Sequence, residues 1–336
     1  MTISSILSFD PIAFKNDYYI FHVKFLFISP RYAGGIGGHA FMLSEQLKKQ
    51  GHDVDLLHSP HLPIKNLKNP SFAFSSVIKS ISNQKNYDIV HGFNAPSAFA
   101  MKFTKATKKV LSMHGSFSDS IKLIHSKPYG ILGNFVESKA LKYADKITTD
   151  SKFTKKLYKE KNHIDLEYLP SPIDITKFPN FNSKKIQNQV AYVARADYGK
   201  GIDILQNAES KINGKVIYCT NLPWKDAMKN LYSSSVLAQP SRMESLATTI
   251  KESFFLKVPV VATNVGGNPE LVEDNVTGLL IPPDDPTSLA NAINRLLEDE
   301  NLRKKLSENA YQFVVNNMTW EKVIPKYIKF YNELLK

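Results

Sequence analysis

Apolar residues in this chain form short continuous runs that alternate with stretches of helical spacing. The first run, Val23–Ile28, contains a single lysine. It is followed by a glycine-rich loop and by four residues at helical spacing, three and four positions apart: Ala40, Leu43, Ser44 and Leu47. Gly51 then marks the predicted end of this helix, and Val54–Leu57 is the next strand. This order predicts a parallel sheet with right-handed crossovers.

Three further runs in the first half end in polar residues. They are Ile89–His91, Val110–Met113 before His114, and Ile147–Thr149 before Asp150. In an open parallel sheet, ligands bind along the edge formed by the carboxyl ends of the strands. His91 and His114 are therefore candidate site residues. For His91, a hydrogen-bonded core or surface histidine is an equally open interpretation.

The second half repeats the alternation of strands and helices. Its predicted strands are Val190–Ala194, Lys215–Cys219, Val236–Ala238 and Val258–Ala262, with a helix around Trp224–Leu231. Amphipathic helices are predicted at 286–297 and 301–315, and a last helix from Thr319 carries an apolar stripe of Val323, Tyr327, Phe330 and Tyr331. At 336 residues, the chain is long enough for two domains.

The chain is basic, with a formal net charge of +12, and residues 1–175 hold 23 Lys and Arg against 14 Asp and Glu. This surplus suits an anionic acceptor or an anionic membrane surface, and a solvated lysine-rich surface is equally open. Nucleic acid is disfavoured, because no zinc-ligand set, recognition helix or interleaved arginine–aromatic run is present. The single cysteine, Cys219, excludes an internal disulfide and reads as a buried thiol. The sequence contains no run of about 18 apolar residues, the length that would predict a transmembrane helix, so we expect a cytoplasmic protein.

The stretch 240–270 carries the most chemical information. A strand leads into Pro240-Ser241, and a helix predicted to begin near Leu246 carries Glu252, eight positions after Glu244. The free N–H groups and the dipole of such a helix favour an anionic diphosphate. With ~1.5 Å rise per residue, Glu252 lies about 9–12 Å along the axis, so the two carboxylates match the two ends of a nucleotide sugar. Spacing alone does not decide this, because two acidic residues eight apart are common.

The residues around these carboxylates resemble the signature of the retaining glycosyltransferases of the GT-B fold, specifically family 4. That signature is Pro-Ser, a Glu, seven residues, a second Glu, a Pro-Val-Val strand and a Gly-Gly loop. Its parts in this chain are Pro240-Ser241, Glu244, Glu252, Pro259-Val260-Val261, Gly266-Gly267 and Pro269-Glu270-Leu271-Val272. The resemblance extends over most of the chain.

The resemblance implies an α/β fold of two Rossmann-like, doubly wound domains that face a cleft. An acceptor-side domain would span residues 1–175, a nucleotide-sugar-binding domain residues 176–318, and a helix at 319–336 would cross back to the first domain. The hinge corresponds to 168–178, where Pro170-Ser171-Pro172 replaces the usual Pro-Asn-Gly. This changes the expected turn, because proline cannot adopt a positive φ.

For the site, the resemblance implies that Glu244 contacts the donor sugar, Glu252 the ribose, and His114 the sugar from the other side of the cleft. A guanidinium and an ammonium can clamp a diphosphate, and the family places such a pair after the first strand of the second domain. The catalytic candidates are Glu244, His114, Arg195 and Lys200. The donor-binding candidates are Gly35, Gly37, Arg195, Lys200, Glu244, Ser245, Leu246, Ala247, Thr248 and Glu252.

Several features depart from known patterns. Ser245-Leu246-Ala247 stands where Gly-Phe-Gly is frequent in the family, so a methyl group narrows the expected pocket, and Lys257 stands where a glycine commonly ends the helix. The loop at 34–38 lacks the full dinucleotide spacing and a following Lys-Ser/Thr, which argues against NAD and against a P-loop. Asp53-Val54-Asp55 matches a metal motif in spacing, but alternation within a strand explains it better.

The resemblance therefore implies a hexosyltransferase that uses a UDP- or GDP-linked sugar and needs neither a metal nor another cofactor. The expected acceptor is a glycan or a polyprenyl-phosphate-linked molecule, with peripheral association at the inner membrane face. Transfer with retention by front-face attack requires no protein nucleophile. A sugar-nucleotide epimerase or hydrolase of related fold, and a nucleotide-sugar-binding protein without turnover, are the alternatives.

Overall fold

The computed structural model describes residues 22–336 apart from 31, 33, 61, 63, 65–67, 125 and 126. The first twenty residues, whose order the sequence leaves open, lie outside this range. The described residues form two sheets, and all of the strand pairs in both are parallel. This is the α/β arrangement that the alternating pattern predicts.

The first sheet is built from six strands in the spatial order β2-β1-β3-β4-β5-β6. The strands are β1 Lys24–Ile28, β2 Asp53–Leu57, β3 Asn86–Phe93, β4 Lys105–Ser112, β5 Lys146–Thr149 and β6 Glu167–Tyr168. The helices between them are α1 Gly35–Lys49, α2 Lys68–Ser82, α3 Ala95–Lys102, α4 Phe117–Ile124, α5 Lys127–Leu141 and α6 Lys152–Asn162.

The second sheet has five strands in the order β11-β10-β9-β7-β8. They are β7 Gln189–Tyr192, β8 Lys215–Tyr218, β9 Val236–Gln239, β10 Val260–Thr263 and β11 Leu279–Ile281. The accompanying helices are α7 Ile202–Ala208, α8 Trp224–Ser233, α9 Thr248–Phe255, α10 Asn268–Leu271, α11 Pro286–Glu298, α12 Glu300–Asn317 and α13 Trp320–Leu335.

Each sheet is covered on both faces by apolar packing. In the first sheet, one core joins α1 to the strands, and the other joins α2, α3, α5 and α6 to the opposite face. The last helix, α13, belongs to the first of these cores, where Trp320, Val323 and Tyr331 pack with Phe25 and Phe93. The chain therefore returns to the first sheet after completing the second, as the resemblance implies. None of the helices in the described part of the chain is long and apolar enough to cross a bilayer.

The order of the strands predicts one ligand crevice at each sheet. In a doubly wound sheet the ligand crevice lies where the strand order reverses, outside the carboxyl ends of the two strands that flank the reversal. In the second sheet the reversal lies between β7 and β9, and in the first it lies between β1 and β3. The loops that follow β7 and β9 are the ones that carry Lys200 and Glu244.

Two predicted boundaries are wrong in ways that matter for the site. The helix that carries Glu252 begins at Thr248 rather than near Leu246, so Glu252 lies one turn from its start. The strand β3 continues to Phe93, two residues beyond His91. His91 is consequently a core residue, where its ring nitrogens bond to the hydroxyls of Tyr331 and Ser112 at 2.7 Å each.

Candidate active site

The loop after β9 presents Glu244 at the reversal point of the second sheet. Its Oε1 accepts hydrogen bonds from the Lys200 ammonium at 2.7 Å, the Ser241 hydroxyl at 2.8 Å and the Gln239 amide at 2.9 Å. The carboxylate is buried, and a buried charge is tolerated only when it is paired and hydrogen-bonded. Glu244 is therefore held in one orientation before any ligand arrives.

Lys200 reaches Glu244 from the neighbouring loop, after β7. A short turn at Tyr198–Lys200 positions it, and the Asp197 carboxylate accepts a hydrogen bond from the Lys200 backbone N–H at 3.1 Å. Its side chain is 24% exposed, and an ammonium has three N–H donors, so two remain beyond the one given to Glu244. Those donors are suited to an anionic ligand at this edge.

Glycines let these loops lie against one another. Gly201 has φ +66°, and a Cβ there would lie 1.9 Å from the carbonyl oxygen of Pro240. A Cβ on Gly267 would lie 1.7 Å from the carbonyl oxygen of Ser245. The Gly266-Gly267 pair of the signature is thus explained by close backbone approach to the segment that follows Glu244.

Arg195 lies at the rim of the site. Its side chain is 71% exposed, and its guanidinium lies 3.3 Å from Asp197. The sequence singles it out as a phosphate clamp together with Lys200, and the structure leaves it accessible for that role.

Arg242 is a structural residue of the site that the sequence reasoning missed. It forms a two-pronged ion pair with Asp203 at 2.7 and 2.8 Å, contacts Asp284 at 2.6 Å, and lies 3.8 Å over the ring of Tyr198. It also donates to the Tyr198 carbonyl at 2.8 Å. The hydrogen bonds that the guanidinium donates to Asp203 and Asp284 raise its pKa. Arg242 thereby braces the turn that holds Lys200, but its partners are about 40 residues away, so no local pattern indicates them.

Glu252 lies on the inner part of α9. Its Oε1 accepts a hydrogen bond from the indole N–H of Trp224 at 2.7 Å. Burial raises the pKa of this carboxyl to about 7, and the Trp224 N–H and the charge of Lys251 offset only part of that rise. A carboxyl with this pKa can both donate and accept hydrogen bonds near neutral pH.

The residues between the two glutamates have different positions. Leu246 and Ala247 are buried in the core of the second domain, so only their backbone atoms can approach a ligand in the cleft. Thr248 is exposed at the first position of α9. Ser245 instead faces the first domain, where its hydroxyl donates to Asp150 Oδ1 at 3.0 Å.

The first domain brings histidine rings to the facing edge. His114 follows β4, and its Nδ1 lies 3.0 Å from Asp150 Oδ2. Its buried Nε2 has no hydrogen-bond partner among the described residues. The ring of His39, a residue of α1 that the sequence did not indicate, lies 5.7 Å from that of His114 and stacks on Trp320. Burial and the neighbouring His114 lower the pKa of His39 to about 3, so it is neutral at physiological pH.

The remaining candidates lie at the start of α1. Gly35 has φ +46° and is exposed at the first position of the helix, whereas Gly37 is buried within its first turn. The aspartates of the Asp53-Val54-Asp55 motif take separate partners, since Asp53 lies 3.4 Å from His22 and Asp55 lies 2.9 Å from Lys85.

Comparison with known proteins identifies the class. The family model "Glycosyltransferase Family 4" matches residues 33–177, and "Glycosyl transferases group 1" matches residues 204–313. An uncharacterized glycosyltransferase of Methanocaldococcus jannaschii is 24% identical over 372 residues, covering 90% of this chain and 95% of that protein. Together the two models cover most of the chain, which belongs to the family 4, group 1 glycosyltransferases.

Two further proteins are similar in part or in fold. The Campylobacter jejuni GalNAc-α-(1→4)-GalNAc-α-(1→3)-diNAcBac-PP-undecaprenol α-1,4-N-acetyl-D-galactosaminyltransferase is 30% identical over 175 residues, covering 51% of this chain and 46% of that enzyme. The structure of HepE from Anabaena with UDP and glucose has a TM-score of 0.70 at 16% identity, covering 93% of this chain and all of that one. The fold is accordingly GT-B, with two Rossmann-like domains.

Proposed function

We propose that this glycosyltransferase moves a hexosyl unit from a UDP- or GDP-linked sugar to a glycan or lipid-linked acceptor, with retention of configuration and without a metal ion. The observation that carries the proposal is that the Glu244 loop lies against the His114–Asp150 pair through Ser245. A Cβ at Gly115, the residue after His114, would lie 3.6 Å from the Cβ of Ser245. The donor-side carboxylate and the facing histidine therefore border one cleft.

The donor diphosphate is assigned to the cationic side of this cleft. Lys200 and Arg195 supply the charge, and the uncapped N–H groups at the start of α9 add the positive end of a helix dipole. When the nucleoside diphosphate leaves, negative charge develops on its terminal phosphate, and fixed donors of this kind stabilise it. Lys200 can bind the diphosphate with the two N–H donors that it does not give to Glu244, so Glu244 keeps its orientation for a sugar hydroxyl.

The nucleoside and the sugar are assigned to opposite ends of the segment from Glu244 to Glu252. Glu252 meets the ribose, because a carboxyl with a pKa of about 7 pairs with hydroxyls as donor or acceptor. Glu244 meets the donor sugar, and His114 meets it from the first domain. The HepE structure contains UDP and glucose, which makes a UDP-linked hexose the first donor to test.

The acceptor is assigned to the first domain and to a membrane surface. Helices α2 and α5 pack on the same face of the first sheet. They expose apolar side chains on their outer faces, namely Phe74, Ile78, Ile81, Ile131, Leu132 and Phe135. The basic surplus of residues 1–175 would attract anionic lipids to this face. The name of the Campylobacter jejuni relative includes an undecaprenol-linked acceptor, which is the kind of substrate such a surface would serve.

Nucleotide-sugar binding in the presence of a chelator tests the donor site. Thermal shifts are measured with UDP- and GDP-sugars for the wild type, Glu252→Ala and the exposed-site control Glu160→Ala. We expect one nucleotide to stabilise the wild type and the control. The loss of the ribose hydrogen bonds in Glu252→Ala should weaken binding about tenfold or more.

Product analysis then tests the reaction. NMR of the product formed with lipid-linked and free glycan acceptors should show an unchanged anomeric configuration. A hydrolysed or epimerised sugar, or binding without any product across the acceptors, would contradict transfer. A requirement for a divalent cation would contradict the metal-independent part of the proposal.

A further inference from the structure

A buried chain of polar side chains runs beneath the cleft and joins the two domains. It begins at Lys251 on α9, whose ammonium donates to the carbonyl oxygen of Ser171 at 2.5 Å and to its hydroxyl at 3.0 Å. The Ser171 hydroxyl donates to Asp150 Oδ2 at 2.8 Å. The same carboxylate oxygen lies 3.0 Å from His114 Nδ1. The chain thus ends at the candidate catalytic histidine.

Lys251 is an unexpected residue for its position. It is fully buried, although lysine is almost never buried unless it is paired. Burial lowers its pKa to about 8, with Asp150 and Glu252 acting in the opposite direction. The Asp150 carboxylate balances the positive charge of Lys251. Burial alone would raise the pKa of Asp150, but His114, Lys251 and Ser171 outweigh this effect and hold the pKa well below its usual range. An apolar side chain would pack at position 251 without these partners, so packing alone does not explain the lysine.

Asp150 determines which nitrogen of His114 carries the proton. A carboxylate can only accept hydrogen bonds, and Asp150 accepts from Ser171 and Ser245 as well as facing His114. The proton of a neutral His114 ring must then lie on Nδ1, which leaves Nε2 as an acceptor. Since Nε2 is buried and unpaired within the described part of the chain, it lacks only a hydroxyl donor.

We propose that Asp150, Ser171 and Lys251 are positioning residues that fix His114 as the Nδ1–H tautomer, so that Nε2 accepts a hydrogen bond from a hydroxyl of the bound donor sugar. This rests on the proposed function for the sugar, but the tautomer itself does not. Lys251 and Ser245 come from the second domain, and Asp150 and His114 from the first. The second domain therefore supports the Asp150–His114 pair through Ser245 and Lys251, while the pair itself lies within the first domain.

The tautomer can be measured without any substrate. The full chain is labelled with ¹⁵N-histidine, and the His114 ring signals are assigned by their loss in His114→Gln. We expect the wild type to show the proton on Nδ1 at pH 8. In Asp150→Asn, the amide can donate to Nδ1, and the proton should move to Nε2. An unchanged His114 spectrum in a folded Asp150→Asn protein would overturn the proposal.

Kinetics separate positioning from structure. In Asp150→Asn, kcat should fall about 10- to 100-fold, the effect of one misdirected hydrogen bond, while KM for the nucleotide sugar changes little. The kcat of Lys251→Met should also fall. In the double variant, the loss of kcat should be smaller than the product of the two single losses, because the residues act through one chain of hydrogen bonds. Lys257→Met, an exposed position just after α9, is the control and should retain activity. Loss of nucleotide binding instead of turnover would contradict a role confined to the sugar.

Failure of the two proposals can be distinguished. If Lys251→Met does not fold, Asp150→Asn and its spectrum still decide the inference. If the wild type shows the Nδ1–H tautomer but transfers no sugar, the proposed function fails and the positioning chain stands. If the wild type transfers sugar but His114 carries its proton on Nε2, the inference fails alone.

Discussion

At the scale of single residues, the site shows how environment differentiates like side chains. Glu244 and Glu252 lie eight positions apart, but the first is matched by a lysine and two neutral donors, and the second by one indole N–H. Glu244 thus accepts a hydrogen bond from a cation, whereas burial raises the pKa of Glu252 to about 7. The different partners assign different chemistry to the two carboxyls.

Glu252→Gln should stabilise the ligand-free protein at high pH. The folded carboxyl has a pKa of about 7, against 4.5 for an ordinary glutamate, so the folded state binds the proton more tightly and wild-type stability falls as pH rises through this window. Glutamine mimics the protonated form and has no such loss. A pKa difference of one corresponds to about 1.4 kcal/mol, so we expect a gain of about 1–3 kcal/mol at pH 8 and about a quarter of that gain at pH 5.

Urea unfolding at the two pH values measures this difference, with exposed Glu160→Gln as the matched control. A gain of equal size at pH 5 and pH 8 would show that packing rather than ionisation is responsible. The same variant should bind nucleotide sugar more weakly if Glu252 contacts the ribose.

At the scale of elements, the sequence pattern predicts those strands, loops and helices whose determinants lie close together along the chain. The strands, the loop with Glu244 and the helix with Glu252 follow from runs and turns within about 30 residues. The sequence leaves the role of His91 open, because no periodicity indicates that its strand continues two residues further. No local pattern indicates Arg242, Lys251 and His39, because their partners, Asp203, Ser171 and Tyr327, come from distant segments. Resemblance supplied the pairing of the domains, which spacing alone does not give.

Helix α5 should dock the protein on anionic membranes. Ile131 and Phe135 are 73% and 59% exposed one turn apart, and Lys139 lies 5.5 Å over the Phe135 ring. Insertion of such side chains is worth about 1.5–3 kcal/mol each. We expect co-sedimentation with phosphatidylglycerol vesicles at low salt and a decrease of about tenfold or more in Ile131→Asp and Phe135→Asp.

Ile186→Asp, an exposed apolar residue of the second domain, is the control and should bind as the wild type does. Binding should weaken as salt screens the lipid charge and should be lower on phosphatidylcholine vesicles. Equal binding by all variants would place the contact elsewhere, and no binding to anionic vesicles would remove the membrane from the proposal.

At the scale of the whole molecule, three further features join the domains beside the Lys251–Ser171 contact. Helix α13 packs on the first sheet, Ser245 joins Asp150, and Glu270 reaches across to the start of α6. The Glu270 carboxylate accepts hydrogen bonds from the Ser151 hydroxyl at 2.7 Å and from the N–H groups of Lys152 and Phe153 at 2.8 Å each. A carboxylate from one domain thereby caps a helix of the other, and this contact requires the cleft to be closed on that side.

Glu270→Ala should therefore open the cleft. Charge-assisted hydrogen bonds contribute about 1.5–3 kcal/mol each, and a loss of even 2 kcal/mol shifts a two-state equilibrium up to about 30-fold. We expect a larger radius of gyration in small-angle X-ray scattering, a lower kcat/KM for transfer, and partial recovery of the compact form with saturating donor, which favours the closed state. Exposed Glu273→Ala should match the wild type. An unchanged scattering curve in Glu270→Ala would mean that the remaining contacts, among them α13, Ser245–Asp150 and Lys251–Ser171, hold the domains together without Glu270, and the hydrogen bonds at α6 would then serve only to cap that helix.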